Sequence, residues 1–228
     1  MIALKMKLIA LTFALVGLAR IAAAQGPPAD LGAQMQSIAQ ALGVSCGYCH
    51  SAERGSGKPE PKKDIARAMM AMTRDINAKV QAASPNAGAV QCVTCHRGVA
   101  IPRQLSEIVT QTMKEQGTDA AITQYRELRK QYYGRQAYDF GEGTLLTIAQ
   151  QISNNKPSDA IALLQLNLEF NPRSAATYAA ISFAYTRKLD DDDAIANLEK
   201  ALEIQPENGI YQGQLEQLKR YQRARQRR

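Results

Sequence analysis

The sequence predicts an all-α protein in which amphipathic helices leading into C-x-x-C-H motifs are followed by a short helical repeat array. Three observations support this fold class. Apolar residues recur at helical spacing along most of the chain. The four cysteines and two histidines of the 228 residues form two C-x-x-C-H motifs. A group of residues near the end of the chain returns after 34 positions.

Residues 1–24 are predicted to be a secretory signal peptide. Lys5 and Lys7 provide the basic start, Leu8 to Ala19 form an apolar run, and Ala22-Ala23-Ala24 fits a cleavage site. The apolar run is shorter than the roughly 20 residues that a transmembrane helix needs. An uncleaved N-terminal anchor is the alternative. We therefore expect export to the periplasm.

Residues 25–103 are predicted to form the first domain, which begins with an amphipathic helix. Asp30 can cap this helix, which is expected to run to about Leu42. Its apolar stripe consists of Leu31, Met35, Ile38 and Leu42. Gly43 is in the usual position for a helix end, and the first cysteine, Cys46, follows at once.

The same order of elements returns after a loop predicted over residues 51–62. A second helix is expected from Asp64 to about Ala82. Its apolar stripe consists of Ile65, Met69, Met72, Ile76 and Val80. Residues 84–88 break the helix, and Cys92 follows. One pattern thus occurs twice, namely a helix that carries methionine, a break, and then C-x-x-C-H.

The two motifs are predicted to attach two c-type haems covalently. They consist of Cys46, Cys49 and His50, and of Cys92, Cys95 and His96. In such a motif the two thiols add to the haem vinyl groups, and the adjacent imidazole ligates the iron. A four-cysteine zinc site would leave both histidines unexplained. A thioredoxin-like redox pair would lack its βαβ context, and two disulfides are the remaining alternative.

The sixth iron ligand is open at this stage, because both histidines are already used. It is therefore methionine, water or nothing, and a methionine raises the reduction potential. Met35 lies on the first apolar stripe, whereas Met69 and Met72 lie on the second, and the periodicity does not choose between these two. Met70 points about 100° away from Met69. Methionines that only fill the core are the alternative.

A family resemblance is carried by the stretch from Pro61 to Asn77, PKKDIARAMMAMTRDIN, together with CVTCHRG from Cys92 to Gly98. These residues closely resemble the cytochrome subunit of photosynthetic reaction centres, and with the first motif the resemblance covers about residues 30–100. The resemblance implies an axial methionine on each helix. It assigns this role to Met35 and Met69, with Met72 as the fallback for Met69.

This chain departs from the family pattern in two ways. The family's subunit has four haems, whereas this chain has two motifs. The family's bis-histidine haem takes a ligand from a loop that corresponds to the region around Ala83, which contains no histidine here. The resemblance therefore implies fold and ligation, without implying service to a reaction centre. Diheme domains of this kind joined to helical repeats look like a non-photosynthetic branch.

Residues 104–228 are predicted to form a tetratricopeptide-like domain. Asp159-Ala160-Ile161-Ala162 returns as Asp193-Ala194-Ile195-Ala196, which is an offset of 34. The expected helices cover residues 105–133 with a break near Gly117, 144–154, 157–170, 175–188, 191–204, and a final capping helix with Tyr211, Leu215 and Leu218. Repeats of this kind more often bind a protein partner than catalyse a reaction.

The charge distribution bears on the partners. The formal net charge of +7 includes three positive charges in residues 1–24, and haem propionates would bring the mature protein nearer to neutral. Nucleic acid is therefore not expected as a partner. The acidic run Asp190 to Asp193 is interpreted as a solvated turn and helix cap, with a metal site as the alternative. The basic run Lys219 to Arg228 is a solvated helix end, or a surface for an acidic partner or, peripherally, an anionic membrane.

These features together predict an electron carrier and not an enzyme. Two irons with methionine and histidine ligands have no vacant position for a substrate. The expected partners are periplasmic or membrane-bound redox proteins, together with a protein that the repeats bind. A diheme peroxidase-like enzyme and a haem-bearing assembly scaffold are the alternatives.

Overall fold

The computed structural model describes residues 30–50 and 60–227, and the regular structure in these residues is entirely helical. The all-α prediction is thus confirmed. The predicted signal peptide and most of the predicted loop over residues 51–62 lie outside the described residues. No helix among the residues described is both long and apolar enough to cross a bilayer.

Ten α-helices and one 3₁₀ turn are present in the described part of the chain. The helices are α1 Leu31–Leu42, α2 Pro61–Ala83, α3 Cys92–His96, α4 Leu105–Gln116, α5 Thr118–Tyr132, α6 Glu142–Ile152, α7 Pro157–Phe170, α8 Ala175–Arg187, α9 Asp191–Ile204 and α10 Gly209–Gln226. The 3₁₀ turn covers Cys46–Tyr48. The break expected near Gly117 separates α4 from α5.

Helix α2 begins three residues earlier than the sequence pattern indicated. Pro61 occupies its first turn, where the missing N–H of proline removes no helical hydrogen bond. Lys63 also forms an ion pair with Glu60, just before the helix. The prediction that the helix starts at Asp64 was wrong because the charged start of the helix was interpreted as part of the loop.

The chain divides into two compact units, Met1–Ser37 and Ile38–Arg228. In the described part of the first unit, Asp30 Oδ1 accepts a hydrogen bond from the Ala33 N–H at 3.1 Å, so the predicted cap is present. The domain boundary placed between residues 103 and 104 stays a prediction.

The hydrophobic core of the second unit lies in α4 to α10. One cluster joins α4 through α8 and a second joins α8 with α9 and α10. Consecutive helices pack on each other from α6 to α10, and α6 also contacts α8. Helices α7 and α9 have bounds that differ by 34 residues at both ends (191 − 157 and 204 − 170), which matches the repeat offset.

A buried polar network connects the first helix pair to the second. Asn167 is fully buried and donates to Thr177 Oγ1 at 2.9 Å and to the Glu142 carbonyl at 3.2 Å. Ser174 caps α8 by accepting from the Thr177 N–H, and its hydroxyl is 2.7 Å from Glu142 Oε1. Every polar side chain of the network has a hydrogen-bond partner, so its burial leaves no unsatisfied polar group. The network also fixes the orientation of α8 relative to α7.

The segment before α4 has almost no core of its own. Of the described residues up to 104, Ala41 is the one that is buried, at 5% exposure. Helix α2 has no buried residue over its 23 positions. A 23-residue amphipathic helix of this kind leaves apolar surface in contact with water, which is unfavourable unless another apolar body covers it.

Candidate haem sites

The first C-x-x-C-H motif is held in a tight turn directly after α1. Cys46 to Tyr48 form the 3₁₀ turn, and the His50 N–H donates to the Cys46 carbonyl at 3.0 Å. The Lys62 ammonium lies 3.7 Å from the centre of the Tyr48 ring, so the start of α2 contacts the middle of the motif. The motif is therefore held by a hydrogen bond within its own turn and by a contact from α2 to the tyrosine between its two cysteines.

The second motif is the short helix α3. Cys92, Cys95 and His96 stand at positions i, i+3 and i+4, which places all three side chains on one side of a helical turn. Gln91 and Thr94 form a reciprocal capping box that fixes the start of this turn. Two thiols and an imidazole are thus presented together, as a single macrocycle would require.

The histidine of the second motif has a defined proton position. His96 Nδ1 lies 3.0 Å from the Val99 carbonyl oxygen. A carbonyl can only accept, so Nδ1 carries a proton, and in the neutral imidazole Nε2 then has the lone pair. A backbone carbonyl in this role orients a metal-binding imidazole and increases its basicity. His96 is consequently prepared to ligate iron through Nε2.

Helix α2 is fastened to the segment just before the second motif. The Asn77 side chain donates to the Val90 carbonyl at 2.9 Å and accepts from the Val90 N–H at 2.7 Å. One turn later, Gln81 donates to the Ala87 carbonyl at 2.9 Å. We call the paired hydrogen bonds between Asn77 and Val90 the Asn77 clamp. The role of Asn77 was not predicted from the sequence. The feature that could have indicated it is an asparagine inside an otherwise strongly helical stretch.

The methionines predicted as axial ligands lie on α1 and α2, the two helices that the sequence predicts for them. Met69 and Met72 are on the exposed face of α2, with 43% and 48% of their surface accessible, next to the exposed Ile65. Met70 is half-buried on a different side of the helix. Met35 is half-buried in α1. The two exposures on α2 are too similar to choose between Met69 and Met72, and the assignments to Met35 and Met69 stay predictions.

The donor groups fit a covalently bound haem. All four cysteines are free thiols, so the disulfide alternative is not formed. Within residues 30–50 and 60–227, no three His, Cys, Asp or Glu side chains converge on a metal position, so the C-x-x-C pairs do not meet in one zinc site. Attachment of a c-type haem uses paired thiols and an imidazole with a free Nε2, and both are present. The uncovered apolar face of α2 is suited to packing against the apolar macrocycle.

The second motif is also attached to the helical core. Arg97 follows His96 in a left-handed conformation, with φ of 48°. Its Nη1 donates to the Gln136 carbonyl at 3.1 Å, in the connection between α5 and α6. A cleft of about 710 Å³ lies beside this contact, and Arg97, Arg103 and Tyr138 are among the residues that line it. The turn that holds His96 is therefore braced by residues far along the chain.

The comparison with known families agrees with this geometry. Residues 34–139, a little under half of the chain, match the family described as photosynthetic reaction centre cytochrome C subunit. This segment is similar to that family. The match includes both C-x-x-C-H motifs and extends through α4 and α5. The segment is thus a c-type cytochrome with covalently bound haem, and its family points to electron transfer and not to an enzymatic reaction.

A curated relative gives the same indication over a shorter stretch. The chain is 41% identical over 63 residues to cytochrome c-554 from Chloroflexus aurantiacus (strain ATCC 29366 / DSM 635 / J-10-fl). The aligned part is 27% of this chain and 15% of that protein. The chain therefore spans only a small part of the length of this relative.

The helices after the cytochrome segment form a groove of about 490 Å³. It is lined mainly by α6, α8 and α10, and two of its aromatic side chains, Phe183 and Tyr221, are 48% and 54% exposed. The lining side chains are apolar, hydroxyl or amide groups. An uncharged groove with accessible aromatic rings is suited to a partner segment of similar polarity.

Two basic side chains near the end of the chain pair with carboxylates of α9. Arg225 pairs with Asp191, and Lys219 pairs with Glu199 at 2.7 Å, so α10 is tied to α9. Asp190 caps α9 by accepting from the Asp193 N–H. The cap that the sequence predicted for the acidic run is confirmed. Lys219 and Arg225 remain 41% and 43% exposed, as a solvated helix end predicts, but each also pairs with a carboxylate of α9, which the sequence did not indicate.

Proposed function

We propose that this chain is an exported diheme c-type cytochrome that passes electrons between redox partners, with a helical repeat region that docks one of them. The observation that carries the proposal is the His96 hydrogen bond to the Val99 carbonyl, which prepares one imidazole nitrogen for iron beside two free thiols. The family match of the cytochrome segment supports the same chemistry. When bound, the haem supplies reversible one-electron transfer between ferric and ferrous iron.

Two haems are proposed because two complete motifs are present. Cys46, Cys49 and His50 would hold the first haem. Cys92, Cys95 and His96 would hold the second. Mass spectrometry of the mature protein, combined with a pyridine haemochrome assay, counts the haems directly. A protein with one haem or none, made in a host competent for cytochrome maturation, would contradict the proposal.

Met35 and Met69 are the proposed sixth ligands, with Met72 as the fallback for Met69. Methionine on the open side of each iron would exclude substrate and favour the ferrous state, as an electron carrier requires. Replacing Met69 with alanine should remove the methionine-to-iron charge-transfer band of one ferric haem. If only Met72→Ala removes that band, the ligand is Met72.

The same spectra separate a carrier from an enzyme. A peroxidase needs one iron that is open or that opens on reduction. We expect both ferric haems of the protein to be low-spin and their spectra to stay unchanged on addition of hydrogen peroxide. A high-spin signal that peroxide alters would instead establish the diheme peroxidase.

The groove between α6, α8 and α10 is the proposed docking surface for a periplasmic or membrane-bound redox partner. The family description supports a partner within a membrane complex, so membrane contact of this chain itself would be peripheral. Export is supported by the leader-like features of residues 1–24. Phe183→Ser with Tyr221→Ser should slow oxidation of the reduced protein by membranes of the source cell. Ile101→Ser, at an apolar position that is more exposed and lies outside the groove, should not.

A further inference from the structure

The two motif units are joined by a direct backbone contact between two glycines. Gly43 precedes Cys46 by three residues, and Gly98 follows His96 by two. The Gly98 N–H donates to the Ala41 carbonyl at 2.8 Å. A Cβ atom placed on Gly43 would lie 2.8 Å from the Gly98 carbonyl carbon and closer still to its oxygen. No side chain fits at position 43 unless the two backbones separate.

The end of α1 creates the acceptor for this contact. Gly43 has a φ of 65°, and α1 closes with a Schellman motif in which Val44 N–H donates to the Ala39 carbonyl and Gly43 N–H to that of Gln40. These bonds leave the Ala41 carbonyl without a partner inside the helix. The amide of Gly98 satisfies it, and Ala41 is the buried residue of this region.

The donor belongs to the turn that orients the His96 imidazole. Arg97 and Gly98 have φ of 48° and 85°, so the chain reverses sharply after His96. Val99 N–H then donates to the His96 carbonyl at 2.8 Å, and the Val99 carbonyl accepts from the imidazole. A displacement of Gly98 would therefore move the turn that sets the direction of the ring.

The contact is close to both haem attachments along the chain. An extended residue spans at most about 3.6 Å, so the Cys46 Cα lies within about 11 Å of that of Gly43. By the same limit, the His96 Cα lies within about 7 Å of that of Gly98. Two short, hydrogen-bonded segments thus connect one glycine contact to the two places where a macrocycle would be bonded.

We propose that the Gly43–Gly98 junction sets the spacing and relative orientation of the two haems, and thereby the rate at which an electron crosses between them. Gly43 and Gly98 are positioning residues, since they touch neither iron. The inference rests on the proposed function, because it needs two haems. Electron tunnelling and the coupling between the haem absorptions both depend steeply on separation, so a shift of the junction is measurable.

The test is circular dichroism in the Soret region, where two nearby haems give a paired positive and negative band. The native protein should show this couplet. Gly43→Ala should abolish it or reverse its sign, while each haem keeps its own absorption spectrum. Gly117→Ala is the matched control, because Gly117 also has a positive φ but has open space around it. This control should keep the native couplet.

A second variant keeps the proposal testable if Gly43→Ala does not fold or does not bind haem. Inserting one glycine between Val44 and Ser45 introduces no clash but lengthens the link from the junction to Cys46, and it should also alter the couplet. Haem counting on the native protein comes first, and a count below two refutes the proposed function itself. With two haems bound, a native protein without a couplet, or a native-like couplet in the insertion variant, overturns this inference.

Discussion

Replacing Asn77 with leucine should loosen the second haem site while leaving the helical core intact. The side chains are similar in size, but leucine removes both hydrogen bonds of the Asn77 clamp, at 2.9 and 2.7 Å. It also leaves the N–H and C=O of Val90 without side-chain partners. At about 1 kcal/mol for each bond, the loss is about 2 kcal/mol. Leucine has a higher helix propensity than asparagine, which stabilises the folded protein by roughly 0.5 kcal/mol and offsets part of this loss.

The expected net loss of about 1.5 kcal/mol corresponds to roughly a tenfold change in the population of the clamped state. Denaturant titration of the ferric protein measures it through the methionine-to-iron band that the proposed Met69 ligand on α2 would give with the second haem. The midpoint for loss of this band should fall in Asn77→Leu. The helical transition of α4 to α10, followed by far-ultraviolet circular dichroism, should stay in place because the clamp lies outside that core.

Two variants bracket this effect. Asn77→Asp keeps the oxygen that accepts from the Val90 N–H but cannot donate to its carbonyl, so it should lose about half as much. Gln81→Leu removes one exposed hydrogen bond to Ala87 and should change the midpoint very little. The reasoning would be refuted if Asn77→Leu kept the native midpoint, or if Gln81→Leu lowered it by the same amount.

Three further predictions concern the helical core. Tyr125 is fully buried with no hydrogen-bond partner for its hydroxyl, and burial raises the pKa of this phenol although the Arg129 charge opposes the shift. A raised folded pKa makes the protein lose stability as the pH rises above the unfolded value of about 10. Tyr125→Phe should remove that part of the alkaline loss in urea titrations and keep or slightly increase stability at pH 7; a lower stability at pH 7 would contradict this. Asn167→Leu should cost about 2–3 kcal/mol in the same titrations, because it removes the buried hydrogen bonds to the Thr177 hydroxyl and to the Glu142 carbonyl; a loss below about 0.5 kcal/mol would disprove the importance of the network. Arg225→Ala should cost less than about 1 kcal/mol, since 43% of the Arg225 side chain is exposed to solvent, and a larger loss would show that α10 depends on this pair.

The helices and motifs could be predicted because their signals are local in sequence. Apolar spacing placed α7 and α9 at their observed bounds, and Gly117 marked the separation of α4 from α5. The C-x-x-C-H motifs are equally local, since five consecutive residues contain the thiols and the imidazole. Such features need no knowledge of what lies elsewhere in the fold.

The remaining features depend on contacts between distant residues, which the pattern does not encode. Asn77 would have the same sequence neighbours whether its side chain met water or Val90, 13 residues away. Gly43 was predicted only as a helix end, although the approach of Gly98 restricts it further. The acidic and basic runs were each interpreted as solvated because nothing local indicates that Asp191 meets Arg225, 34 positions later.

The two motif units position their cysteines by different physical means. In the first unit, α1 ends at Leu42 and Cys46 follows four residues later, so a short chain restrained by the end of α1 determines where the thiols lie. In the second unit, α2 ends at Ala83 and Cys92 follows nine residues later. A connection of that length has many conformations, and the Asn77 clamp removes most of them. The two proposed haem sites should therefore respond differently to mutation, the first to changes in backbone geometry at Gly43 and the second to loss of side-chain hydrogen bonds.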